Sequence, residues 1–91
     1  MLFEEALIAI GRDHADENLS LGRVARSIAT SRRQLQRVLR EHDTSFRAEV
    51  QSARMAHAAD LLGRERLPVS SVARAVGYRQ AAQFSKAFRR H

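Results

Sequence analysis

The chain carries one short pattern twice, and that repeat limits what it can fold into more than any other feature. Val24-Ala25-Arg26 returns as Val72-Ala73-Arg74 at an offset of 48, with Ile28 matched by Val76 and Ala29 by Gly77. One inserted residue then moves the offset to 49. From there Gln34-Leu35 matches Gln83-Phe84, Arg37 matches Lys86, Leu39 matches Phe88 and Arg40 matches Arg89. Two copies are too few to stack into a solenoid, so the repeat describes a paired module.

Each copy has the periodicity of two short helices. Leu21, Val24, Ala25 and Ile28 follow the i, i+3, i+4, i+7 spacing of a helix with one apolar stripe. After a short break, Ser31 is placed to cap a second helix, and Gln34 three positions on completes a Ser-x-x-Gln capping box. Leu35, Val38 and Leu39 give that helix its inner face, and Ala25 is small enough for a close crossing. Two short helices joined this tightly make a helix-turn-helix. The second copy keeps the plan. Val69, Val72, Ala73 and Val76 form a stripe, and Phe84, Ala87 and Phe88 face inward. Gly77 sits in the turn, where positive φ carries no steric cost.

Between the copies the spacing predicts a linker helix over residues 45–63, capped by Thr44 or Ser45 and ended by Gly63. Phe46, Val50, Ala53, Ala58, Leu61 and Leu62 are its apolar positions. A helix of about 19 residues spans roughly 28 Å. That is close to the ~34 Å advance of one DNA turn, the separation at which two helices enter the same face of a duplex. An additional helix over about residues 2–14 offers Phe3, Leu7 and Ile10 to the first unit, with Glu4 and Glu5 near its positive end. The expected fold is all-α: two homeodomain-like three-helix units, each with a helix-turn-helix, in a single domain. Residues 1–43 hold the first helix and first unit, 44–63 the linker, and 64–91 the second unit.

Charge follows the same division. The net charge is +6, with fifteen Arg and one Lys. Residues 18–40 hold six Arg and no acid, and residues 66–91 hold five Arg and Lys86 and no acid. The stretches 1–17 and 41–65 are net negative. A solvated surface mixes its signs, whereas a footprint for a polyanion concentrates one sign. Without cysteine the chain has neither disulfides nor thiolate metal sites. No apolar run approaches the ~20 residues of a membrane span. Met1-Leu2-Phe3-Glu4-Glu5 lacks the basic start of a signal peptide, so a cytoplasmic location is expected. His14, His42, His57 and His91 are scattered, without a metal motif such as HExxH. There is no Gly-rich phosphate loop, no G-x-S-x-G elbow and no paired-carboxylate arrangement. The expectation is no enzyme activity, no cofactor and no metal.

The outward faces carry the chemistry. With Leu35 and Leu39 inside, Arg33, Gln36, Arg37 and Arg40 project together. Arg forks onto guanine O6 and N7 and Gln onto adenine N6 and N7, so this face suits a major groove. Arg32, at the capped helix start, is placed for phosphate. The second unit presents Ala82, Gln83 and Lys86, with Arg79 and Gln80 at the helix entrance and Arg90 further along. Ala82 is suited to a thymine methyl, and the face as a whole to backbone positioning.

These segments resemble the DNA-binding domain of the AraC/XylS family of bacterial transcription regulators, most strongly over residues 19–91. The family's Ser-x-x-x-Leu-x-Arg recognition helix is met by Ser31, Leu35 and Arg37. Its Arg-x-x-x-Ala-x-x-Leu-Leu linker core is met by Arg54, Ala58, Leu61 and Leu62. Its closing pattern is met by Ala73, Gly77, Tyr78, Phe84, Ser85, Phe88 and Arg89. The resemblance implies seven helices, two recognition helices in successive major-groove segments, and transcriptional control, usually activation. Its partners would be double-stranded DNA and RNA polymerase, with any effector ligand bound by a domain this chain does not contain. It also implies base contacts at Arg33, Gln36 and Arg37, DNA contacts at Ala82, Gln83 and Lys86, and structural roles for Arg54 and Tyr78. Two departures stand out. Asp43 replaces the family's usual Gly, and the pattern's tail beyond His91 has no counterpart, as expected of a fragment of a longer regulator or of a very short stand-alone protein. Two rival functions are a helix-turn-helix used for protein contact and a non-specific architectural DNA binder. The capped Arg/Gln face of residues 32–40 favours specific readout over both.

Overall fold

The structure, a computed structural model, describes residues 1–64 and 66–91. Glu65, in the acidic middle of the sequence, lies outside the described residues. Among those described there are six helices and no strand: α1 (Leu2–Asp13), α2 (Leu21–Ser27), α3 (Arg32–Glu41), α4 (Phe46–Arg64), α5 (Val69–Ala75) and α6 (Ala81–Arg90). The seventh helix implied by the family resemblance has no counterpart among them.

Two cores form, and α4 runs through both. The first joins Ala6, Ala9 and Ile10 of α1, Val24 and Ala25 of α2, Leu35 and Leu39 of α3, and Val50 of α4. The second joins Met55 and Ala58 of α4, Val72, Ala73 and Val76, and Phe84 and Ala87 of α6. Ala25 and Ala73 are buried at the two crossings, where a larger side chain would push the helices apart. Val24 and Val72, Ala25 and Ala73, and Leu35 and Phe84 are buried in both copies, whereas Leu39 is buried and its match Phe88 is exposed.

Helix ends follow from local chemistry. The hydroxyls of Ser20 and Ser31 accept the backbone N–H groups of Arg23 and Gln34 at 3.2 and 3.0 Å, satisfying donors that a helix start leaves free. Ser45 caps α4 by accepting from Ala48 N–H at 3.1 Å. Three helices close with the same double bond. Thr30, Thr44 and Tyr78 N–H donate to the carbonyls of Ala25, Leu39 and Ala73, while Ala29, Asp43 and Gly77 N–H donate to Arg26, Arg40 and Arg74. This Schellman pattern requires a left-handed residue, here Ala29 (φ 57°), Asp43 (φ 57°) and Gly77 (φ 100°). Asp43 thus occupies the conformation for which the family uses Gly.

Several expectations change. Gly63 lies inside α4 and does not end it; a Cβ there would meet nothing within 4 Å, and the Asp60–Arg64 ion pair supports the last turn. The capping box forms only its Ser31 half, because the Gln34 side-chain oxygen accepts from the Thr30 hydroxyl at 3.0 Å. Val69, counted in a buried stripe, is 49% exposed at the first residue of α5. Phe88, expected inside, is 38% exposed and stacks on Phe84 with ring centroids 5.5 Å apart. In α1, Ala6 and Ala9 join Ile10 in the core, while Phe3 packs at its edge and stacks on His42 at 3.7 Å.

The two units meet again at the loop between α1 and α2. Arg54 of α4 donates to the carbonyls of His14 at 2.8 Å and Asp16 at 3.1 Å, and its guanidinium lies 5.4 Å from the centroid of the Tyr78 ring. Burial pushes the Arg54 pKa down, with Tyr78 and Asp16 pushing back up, and the group stays charged. Gly77 comes so close that a Cβ would sit 2.7 Å from the His14 carbonyl oxygen. His14 Nδ1 donates to the Gly11 carbonyl at 2.7 Å, and its Nε2 is hydrogen-bonded to His57 Nδ1 at 2.9 Å.

Candidate nucleic-acid interface

On α3, buried Leu35 and Leu39 point the intervening side chains outward. Arg32, Arg33, Gln36, Arg37 and Arg40 are all exposed. None of the five side chains has a hydrogen-bond or ion-pair partner among the described residues. That contrasts with Arg12, Arg23, Arg54, Arg64 and Arg79, each of which is bonded within the protein. On α6, Ala82, Gln83, Lys86 and Arg90 are likewise exposed, and Gln80 is the helix N-cap.

The two faces are connected across α4. A surface hollow of about 470 Å³ is bordered by Gln83, Lys86 and Arg90 of α6 and by Arg47 and Gln51 of α4. A second, of about 340 Å³, is bordered by Gln36 and Arg40 of α3 and by Arg47. Phe46 and Arg47 belong to both. Arg47 therefore stands between α3 and α6, a basic group with no side-chain partner among the described residues. Among the described residues, no group of three or more His, Asp or Glu is placed to hold a metal ion, and no helix is long and apolar enough to cross a membrane.

A family model described as a helix-turn-helix domain matches residues 24–91. The chain belongs to the AraC/XylS-type helix-turn-helix family. Solved structures agree. The C-terminal domain of AraT, a response regulator from Geobacillus stearothermophilus, is 31% identical with a TM-score of 0.90 over 98% of this chain and 74% of that one. A DNA-binding transcriptional dual regulator from Escherichia coli K-12 is 27% identical, TM-score 0.87, over 94% of this chain and 77% of that one. The C-terminal domain of the two-component response regulator YesN from Fusobacterium nucleatum subsp. nucleatum ATCC 25586 shares the fold at 20% identity, TM-score 0.87, over 96% and 91%. A comparison with curated protein sequences found no match. The family is one of DNA-binding transcription regulators, not of enzymes.

Within this AraC/XylS-type domain, Arg54 binds the carbonyls of the α1–α2 loop, and the Tyr78 ring lies against its guanidinium and against Phe84. Arg79 is placed differently from the other candidates. Its guanidinium donates to Asn18 Oδ1 and lies 3.7 Å from Glu17 Oε1, turned toward the first unit. Two residues of the connecting hollow, Arg47 and Gln51, escaped the sequence reading. Counting charge over residues 41–65 as one acidic block hid Arg47. The i, i+4 spacing of the pair on the linker helix was the signal available.

Proposed function

We propose that this domain binds specific sequences in double-stranded DNA, with α3 and α6 in successive segments of the major groove. The observation that carries this reading is the α3 face: Arg33, Gln36, Arg37 and Arg40, exposed, unpaired and free of acids across four consecutive outward positions. Unpaired guanidinium forks on a Ser-capped helix have their donors free for guanine edges. Arg32, Gln80, Lys86, Arg90 and the connecting Arg47 supply phosphate contacts that set position, and Ala82 and Gln83 the smaller base contacts of the second head. Action in the bacterial cytoplasm, activation through RNA polymerase, and an effector ligand held by another domain follow from the family resemblance.

Binding-site selection from random DNA tests this, with the winner measured against scrambled DNA at two salt concentrations. The expected result is an asymmetric motif with two half-sites about a helical turn apart. Equal, steeply salt-dependent affinity for every sequence would instead identify an architectural binder. Absence of salt-dependent affinity would point to a protein-contact module.

A further inference from the structure

The repeat contains one extra residue, and the structure shows which one it is. The turn bonds of the two units correspond residue for residue through Thr30 and Tyr78, both donating to the carbonyl five positions back. The N-caps that follow are Ser31 and Gln80. The residue left over is Arg79. It is also the side chain that leaves its own unit, donating to Asn18 Oδ1 with Glu17 Oε1 at 3.7 Å.

Its anchor is well held. Asn18 N–H donates to Asp16 Oδ1 at 2.8 Å, and Arg54 grips the carbonyls of His14 and Asp16. Arg79 stands two residues after Gly77, whose close approach to the His14 carbonyl fixes the same contact from the other side. The bond therefore joins the entrance of α6 to a braced loop of the first unit. Arg79 and Glu17 are both exposed, and an exposed pair adds little to folding stability. What it constrains is an angle. A single helix such as α4 bends gently along its length, so alone it leaves the relative direction of α3 and α6 compliant.

We infer that Arg79 is a positioning residue, which by bridging to Asn18 and Glu17 fixes the half-site spacing that the two recognition helices accept. This rests on the two-headed reading above. One base pair added or removed turns a half-site by about 35° and moves it by ~3.4 Å. A braced domain meets that shift with lost contacts, and an unbraced one follows it.

The test uses the selected operator and two derivatives with the half-sites one base pair closer or farther apart. Wild type is expected to lose about tenfold or more on either derivative, the scale of a mismatched base pair. Arg79→Ala, and separately Glu17→Gln/Asn18→Ala, should lose no more than about threefold there while keeping near wild-type affinity for the unshifted site. Arg79→Lys should restore part of the discrimination. The Glu17/Asn18 variant removes no basic group, so a lost phosphate contact cannot mimic its effect.

A DNA-free arm separates the two ideas. The chain has no cysteine, so spin labels at Ile8→Cys on α1 and Ser71→Cys on α5 report the distance between units. The distance distribution should broaden in both bridge variants. An unchanged width overturns the inference, whatever DNA does. So does unaltered spacing selectivity, or a uniform loss confined to Arg79→Ala with a shallower salt dependence, which makes Arg79 a phosphate contact. Wild-type binding without sequence preference would fell the recognition reading itself, and the spacing claim with it.

Discussion

Ser31 caps α3 with its hydroxyl, whereas Gln80, at the matching place in the second unit, makes no side-chain cap bond to α6. The same contrast recurs at each step. Ser20 caps α2, while Pro68 precedes α5 with no side-chain acceptor to offer. Leu39 is fully buried, while its counterpart Phe88 is partly exposed. The first unit has α1 beneath it, and the second relies on the back half of α4 and on the loop gripped by Arg54. One unit is thus specified by its own local sequence and presents the face richer in unpaired Arg and Gln side chains. The other is specified largely by contacts reaching back into the first. A duplicated backbone plan does not imply duplicated sources of stability.

Gly77 is the sharpest place to break that comparison. A Cβ there would need φ 100° and would sit 2.7 Å from the His14 carbonyl oxygen and 2.9 Å from Arg54 Nε. Backbone strain and a lost inter-unit contact add, so Gly77→Ala should destabilise the domain by about 2–4 kcal/mol. Thermal unfolding followed by circular dichroism should show the midpoint falling by roughly 10 °C or more. A fall of only a few degrees would mean that the loop yields easily and that the second unit depends little on it.

Next in size is the difference between the two proposed reading heads. Arg37→Ala should weaken operator binding by about 1–3 kcal/mol and relax preference at one base pair. Arg90→Ala, on the second unit where the first has Glu41, should weaken all sequences alike and reduce the salt slope by about 0.9. Titrations on matched and single-base-changed operators check both. If the Arg37 loss were equal on every sequence, the first head would hold phosphate rather than read bases. An unchanged slope would remove Arg90 from the footprint.

Much of this was legible because it is local. The repeat, the apolar stripes and the serine caps depend on residues within a few positions of each other, and the helices fell where those signals placed them. The left-handed turn residue was legible at Gly77, and Asp43 stands where a glycine is usual, whereas Ala29 carried no mark of its own. The inter-unit contacts were not legible. Arg54 meets His14 across 40 positions, and Arg79 meets Asn18 across 61, with no periodicity to announce either. Charge alone could not separate Arg79, which is bonded inside the protein, from Arg37, which is not. Val69 and Phe88 were misplaced for a related reason: helical spacing says which side chains share a face, not whether a neighbour covers it.

The turns offer a gain where Gly77 offers a loss. Ala29 holds φ 57° with its side chain exposed, so its methyl group carries left-handed strain without packing to offset it. Ala29→Gly should stabilise the domain by about 0.5–1 kcal/mol, the relief of strain exceeding the added freedom of the unfolded chain. Urea unfolding should show a higher midpoint at an unchanged slope. No gain would mean that the first turn is not strained, and that the glycine of the second unit is needed only for close approach.

The smallest expected effect transfers a local signal from the first unit to the second. Gln80 has an extended backbone (φ −128°, ψ 133°) close to that of the working cap Ser20 (φ −139°, ψ 160°). A serine at this position would place its hydroxyl toward the Gln83 N–H, as Ser31 does toward Gln34. Gln80→Ser should therefore stabilise the domain by about 0.5 kcal/mol, while Ser31→Ala should cost about 1 kcal/mol. The two changes are best read as amide hydrogen exchange at Gln83 and Gln34, since each cap protects one named donor. Slower exchange at Gln83 would mean that the second unit lacked only a local signal. Unchanged exchange there, with the Ser31 effect intact, would mean that the start of α6 is already fixed by Arg79 and the loop it grips, so that a cap adds nothing the inter-unit contact has not supplied.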